Sequence, residues 1–157
     1  VSTDATPTIL VCYDGSDRAA HAIAHTGRLF PAAAVTILNV WEPIEHIVAR
    51  YAALAPYLGE QIPEADAAAA KQSTDIAEEG VALATRAGLH ATAHSAAIDV
   101  TVWEAVIAAA TAIGADLIVT GTRSLHGMHE LLSGSLSHQL LQHSRVAVLA
   151  IPSPPEK

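Results

Sequence analysis

Several short runs in this chain are apolar at consecutive positions instead of alternate ones: Thr8–Tyr13 (TILVCY), Asp116–Thr120 (DLIVT) and Val146–Ile151 (VAVLAI). A strand that is apolar on both faces must be covered on both, and the usual solution is a parallel sheet between two layers of helices. Ala34–Val40 (AVTILNV) reads as a further strand, as does His90–Ile98, whose residues are small and half polar. Between the strands the apolar spacing changes to the helical period.

Asp17–Phe30 is Ala-rich, with Ala19, Ala20, Ile23, Ala24 and Gly27 at helical spacing and Ser16 as candidate N-cap. Glu64–Ala87 carries Ile76, Gly80, Leu83, Ala84 and Ala87 on one face, with Gly88 as its stop. Thr101 and Glu104 form a T-x-x-E capping box before a helix that runs to Ile113 and ends at Gly114. A short helix is expected over Ser135–His143. The segment 41–63, with prolines at 43, 56 and 63, reads as irregular and is long for a connection. It suggests a flap: a lid over a ligand or a dimer contact.

The predicted fold is therefore α/β, a single doubly wound five-stranded parallel sheet with helices on both faces, and its strand order is taken as 3-2-1-4-5. One domain is expected over residues 8–152, between a polar lead-in at 1–7 and a tail at 153–157. Hydrophobic residues at 51% against 15% charged supply one core and argue against disorder. A formal charge of −8 with no Lys/Arg run excludes nucleic acid as a partner, and aromatics at 4% leave no stacking platform for single strands. Cys12 is the only cysteine, so no internal disulfide forms; it reads as a buried strand residue. No apolar stretch approaches the roughly 18 residues of a membrane helix, and no leader pattern is visible, so the cytoplasm is the expected location.

Open parallel sheets bind ligands beyond the carboxyl ends of their strands, where the strand order reverses. Two segments leave such ends here: Asp14-Gly15-Ser16, and Gly121-Thr122-Arg123-Ser124. The second continues through a Gly- and Ser-rich loop into Ser133-Gly134-Ser135, which opens a helix. The amides of Gly134, Ser135 and Leu136 would then face outward at the positive end of a helix dipole, a ready anion site. The Ser135 hydroxyl offers another donor, and Arg123 a charge-assisted contact. The plainer alternative is a glycine-rich connection with no ligand. Neither a Walker A loop nor a G-x-G-x-x-G fingerprint is present.

Tyr13–Ser16 (YDGS), the second strand running into NVWEP, and ADLIVTGTRS…GSLSHQLLQHSRVAVLAIP over 115–152 resemble the universal stress protein family. The likeness extends from Thr8 to Pro152. Its ATP-binding branch carries G-x-x-G-x(9)-G-[ST]; here the spacing is kept as Gly121, Ser124, Gly134 and Ser135, with serine in place of the second glycine. The resemblance implies that Asp14 meets the ribose or a phosphate-bound Mg²⁺, that the Val40 backbone faces adenine, and that Gly121 lines the ribose–phosphate region. It implies that Ser124, Gly134, Ser135 and Leu136 hold the phosphates. Residue by residue the alternatives are an Asx turn for Asp14 and a plain buried strand end for Val40. Serine at 124 adds a Cβ where glycine tolerates positive φ, and so disfavours tight binding.

With the order 3-2-1-4-5, Val146–Ile151 is an edge without Lys or internal charge, which usually has a partner. The resemblance implies antiparallel pairing with a twin, a homodimer. Three functions follow: an adenine-nucleotide (ATP) binding stress-response module that signals through downstream proteins; a relative that has lost the nucleotide and works by dimerisation or docking; and, least favoured, a slow ATPase. Phosphoryl transfer needs positioned cations and a group that orients the nucleophile, and the sequence offers neither a clear base nor a lysine at the phosphates.

Other residues read as structural. His21 and His25 lie on a polar helix face with Arg18 and Arg28, which disfavour a metal. His126 and His129 fall in the glycine loop. His138 and His143 belong to the last helix, where His143 would complement the dipole. Trp41 and Trp103 read as packing residues.

Overall fold

The structure, a computed structural model, describes residues 6–50, 62–122 and 135–153. The strands are β1 (Thr8–Cys12), β2 (Ala34–Trp41), β3 (His90–Ala97), β4 (Leu117–Thr122) and β5 (Ala147–Pro152). The helices are α1 (Asp17–Leu29), α2 (Ile44–Arg50), α3 (Ile62–Arg86), α4 (Val102–Ala112) and α5 (Leu136–His143). All four strand pairings are parallel, and the order is β3-β2-β1-β4-β5. The two-sided parallel sheet expected from the apolar runs is observed, in the expected order.

Alternate residues of the central strands feed two cores. Ile9, Val11, Tyr13, Val35 and Ile37 pack with Ala22 and Ile23 of α1 and Ala84 of α3. Leu10, Leu38 and Ile118 pack with Val106, Ala109 and Ala110 of α4 and Leu140 of α5. This is why β1 had to be apolar at every position: Ile9, Leu10 and Val11 are all fully buried.

Four details differ from the sequence reading. Segment 41–63 is not wholly irregular: α2 occupies Ile44–Arg50, its first amide held by Asp66 of α3 (Ile44 N to Oδ1, 2.7 Å) and its last residue paired with Glu42. Residues 51–61 lie outside the described part. On α1 the buried face is Ala19, Ala22, Ile23, Thr26 and Gly27, while Ala24 is exposed. The helix packs against both the sheet and α3, which turns the face; the buried Thr26 hydroxyl is satisfied by the Ala22 carbonyl at 2.8 Å. Cys12, the last residue of β1, is only partly buried, packed against the core of Leu10 and Leu38. Finally, Pro152 is the last residue of β5 instead of its stop. Ser153 donates to the Thr122 carbonyl, so the strand's alternate positions 148, 150 and 152 face away from β4. Proline at an outward position costs no ladder bond.

The small, half-polar β3 is a full strand, paired with β2 along its whole length. Small side chains let α3 lie close over it. Thr101 caps α4 as expected, accepting from Glu104 N at 3.3 Å, and its hydroxyl donates to the Glu104 carboxylate at 2.6 Å.

Candidate functional site

The sheet reverses its order at β1, which lies between β2 and β4. Register brings the sequence-picked residues to the carboxyl end of the sheet. Cys12 lies opposite Leu38 and Val11 opposite Val119. Continued past the end of β1, that register leads Asp14 toward Val40 and Tyr13 toward Gly121. Neighbouring strands are about 4.8 Å apart. Asp14, Val40 and Gly121 therefore come to the same carboxyl edge of the sheet, although Val40 and Gly121 lie 26 and 107 residues beyond Asp14 in the chain.

Gly15 takes φ +80°, a conformation that favours glycine, and this folds the chain back from β1 into α1. The Asp14 carboxylate closes that turn: its Oδ1 accepts from Ser16 N at 3.0 Å and from the Ser16 hydroxyl. Ser16 in turn caps α1, accepting from Ala19 N at 3.3 Å. Asp14 is thus an Asx-turn residue that is also exposed at the mouth of the crevice. Gly121 has a tight steric reason of its own. A Cβ there would lie 2.8 Å from the Arg18 carbonyl oxygen and 3.0 Å from its carbon. The start of α1 rests on the end of β4, and only hydrogen fits between them.

Below the crevice lies a polar chain that the sequence reading missed. The buried Asn39 donates from Nδ2 to the Tyr13 carbonyl at 2.7 Å. Ser95 donates to Ser73 at 2.8 Å, and Ser73 reaches the Asn39 carbonyl at 3.4 Å. The Tyr13 phenol donates to Glu79 at 2.8 Å. Together these pin the β1 exit to β2, β3 and α3. An asparagine inside the apolar run of the second strand was the available signal, since a buried amide needs partners. Burial and the Glu79 carboxylate push the Tyr13 phenol up to about 12. Burial, with the Asp14 carboxylate adding to it, pushes the Cys12 thiol up to about 12. The thiol therefore stays protonated near neutrality and is a poor nucleophile.

The last helix begins where the sequence placed it. Ser135 is the N-cap of α5, and its hydroxyl accepts from His138 N at 3.3 Å and lies 3.2 Å from the Ser137 hydroxyl. The amides of Leu136 and Ser137 occupy the first two helical positions, which have no acceptor within a helix. A short link joins α5 to the start of β5, so the opposite end of α5 lies at the carboxyl edge of the sheet, beside the crevice. Trp103 and Val102 of α4 form a cleft of about 400 Å³ with Leu136 and Gln139 of α5. The Trp103 ring stacks on His143 at 4.5 Å between centroids, so His143 packs against an aromatic ring at the end of its helix. Arg123, Ser124 and Gly134, along with His126 and His129, lie outside the described residues. Among the described residues no cluster of three or more metal-ligating side chains occurs. His25 instead meets Arg28, at 2.6 Å.

The fold defines the class: a doubly wound α/β protein whose strand order reverses at β1. The chain belongs to the universal stress protein family, whose model matches residues 6–152. No curated protein gives a significant match. Among solved structures it is similar to a universal stress protein family member from Burkholderia pseudomallei, with TM-score 0.63 and 24% identity over 94% of this chain and 97% of that one. It is also similar to a universal stress protein in complex with cAMP, with TM-score 0.67 and 19% identity over 92% and 96%. A third is a family member from Arabidopsis thaliana with AMP bound, with TM-score 0.63 and 15% identity over 94% and 92%.

Proposed function

We propose that this protein binds an adenine nucleotide, ATP or a related adenylate, at the β1/β4 crevice and works as a binding module that other proteins read. One observation carries the reading: Asp14 and Val40, with Gly121 one residue lower, lie at the carboxyl ends of β1, β2 and β4, the edge of the sheet at which α5 begins. An anion seated there meets main-chain N–H groups and the positive end of the helix dipole, which the overall negative charge of the protein does not cancel at contact range. In this reading the Val40 backbone meets the base, and Asp14 a ribose hydroxyl or Mg²⁺. A magnesium ion on a nucleotide takes most of its ligands from phosphates and water, so a single exposed carboxylate suits it. The bound cAMP and AMP of two similar structures support an adenylate.

Turnover is not part of the proposal. Efficient phosphoryl transfer needs a group to orient the nucleophile and cations at the phosphates, and at most slow hydrolysis is expected. Dimerisation through β5 and action in the cytoplasm complete the reading. A second reading, a docking protein without nucleotide, has one observation in its favour: Ser124 stands where the ATP-binding motif has glycine.

Nucleotide released by acid from the purified protein, and calorimetry with ATP, AMP and cAMP, test both. Co-purified adenylate supports binding, and an empty protein with no heat at millimolar nucleotide supports docking alone. Ser124→Gly is expected to tighten ATP binding about tenfold, equivalent to ~1.4 kcal/mol. Unchanged affinity refutes the role given to Ser124.

A further inference from the structure

The opposite edge of the sheet carries an observation that the nucleotide reading does not use. β3 is an edge strand of eight residues, without proline or lysine. Its hydrogen bonds to β2 start with His90 N to the Ala33 carbonyl and continue past the strand with Ile98 N to the Trp41 carbonyl. The two-residue repeat of a parallel ladder then turns the N–H and C=O groups of Ala91, Ala93, Ser95 and Ala97 outward. Among the described residues β2 is the only strand paired with β3. Such an edge is normally blocked, covered or used.

A groove runs beside it on the α4 face. Two helices cover that face of five strands, and α4 flanks β3 with the small side chains of Ala105, Ala108, Ala109 and Ala112. The resulting space is about 510 Å³, floored by His94 and Ala96. Its end beyond β3 carries two carboxylates, Asp99 and Glu104. The trough lies beside the second half of the β3 edge, from His94 to Ala97, with the carboxylates lining it beyond the strand.

We infer that the β3 edge is a docking site for an extended, basic segment of another protein, which adds a strand to the sheet. Main-chain bonds to Ala91, Ala93, Ser95 and Ala97 give the affinity. Alternate side chains of the segment enter the trough, and the alanine walls admit aliphatic groups of moderate size. A Lys or Arg at the end of the segment meets Asp99 and Glu104. This is recognition by strand addition, in which the backbone binds and every second side chain is read. It does not depend on the nucleotide proposal.

The probe is a blocked octapeptide alternating valine and threonine with arginine at both ends, followed by fluorescence anisotropy and amide hydrogen exchange. Expected are saturable binding, slowed exchange at Ala91, Ala93, Ser95 and Ala97, and at least threefold weaker binding when glutamate replaces the terminal arginines. Ala93→Pro removes one outward N–H and no bond to β2, and is expected to weaken binding at least tenfold. Ala108→Trp fills the trough from an exposed helix position; it is expected to do the same, and it decides the matter if Ala93→Pro does not fold. The inference is overturned if the peptide does not bind at millimolar concentration, if protection maps to β5, or if both variants bind as the wild type does. It is equally overturned if the protein self-associates through this edge and Ala93→Pro abolishes that association, which would make a second copy the occupant.

Discussion

At the residue scale the β1 exit is held by side chains that each have a structural task at the carboxyl edge of the sheet. Asp14 closes a turn while exposed at the mouth. Asn39 fixes the Tyr13 carbonyl from beneath. Cys12 and Tyr13, consecutive at the β1 exit, are both held in their neutral forms, with values near 12 against ordinary values of 9.0 and 10.0. The linkage has one sign for both. Above about pH 9 the unfolded chain releases these protons while the native protein keeps them, so the unfolded state binds fewer protons and stability falls as pH rises. The urea midpoint is expected to be insensitive to these groups below pH 9 and to decline between pH 9 and 12. Cys12→Ala should flatten the first part of that decline and Tyr13→Phe the second. An identical decline in both variants would show that burial at the β1 exit is not the cause.

At the scale of elements, the contact that shapes the crevice is the start of α1 resting on the end of β4. Gly121 makes it possible, since the nearest atoms are the backbone of Arg18 and cannot swing away. Gly121→Ala is expected to destabilise the fold by about 1–3 kcal/mol, in the range of overpacked sites, as read from chemical denaturation. If nucleotide binds at the crevice, the same change should weaken it, because α1 would shift beside the ligand edge. A stability loss under ~0.5 kcal/mol would mean that α1 yields easily and that the glycine is there for another reason. The glycine-rich motif is thus read twice: resemblance assigns Gly121 to ribose and phosphate, and packing assigns it to α1.

At the scale of the whole molecule, the sheet has two edges of different character. β3 has small residues and an acidic groove beside it; β5 is aliphatic, with Ile151 buried and Val148 and Leu149 partly so. Homodimerisation is expected through β5, with its outward positions 148, 150 and 152 available for pairing with a twin. Ala150→Pro removes an outward amide without breaking a bond to β4, and should convert the dimer to a monomer in sedimentation at micromolar concentration. A dimer that survives the change would place the interface elsewhere.

Periodicity alone specified much of this. Continuous apolar runs demanded a two-sided parallel sheet, helical spacing supplied its covers, and the right-handed crossover rule made it doubly wound; the strand order came with the family resemblance. Ser16, Thr101 and Ser135 were legible as caps because capping depends on local sequence. The level shared by Asp14 and Val40, and by Tyr13 and Gly121, was not legible, because register is set by partners far away in the chain. Neither was the turned face of α1, which follows from packing against α3 as well as the sheet, nor α2, whose first amide is held by a residue 22 positions away. Local chemistry, then, determined which elements form and where each begins. Non-local packing decided which residues meet, since contact between distant segments is a property of the assembled core and not of any one stretch of sequence.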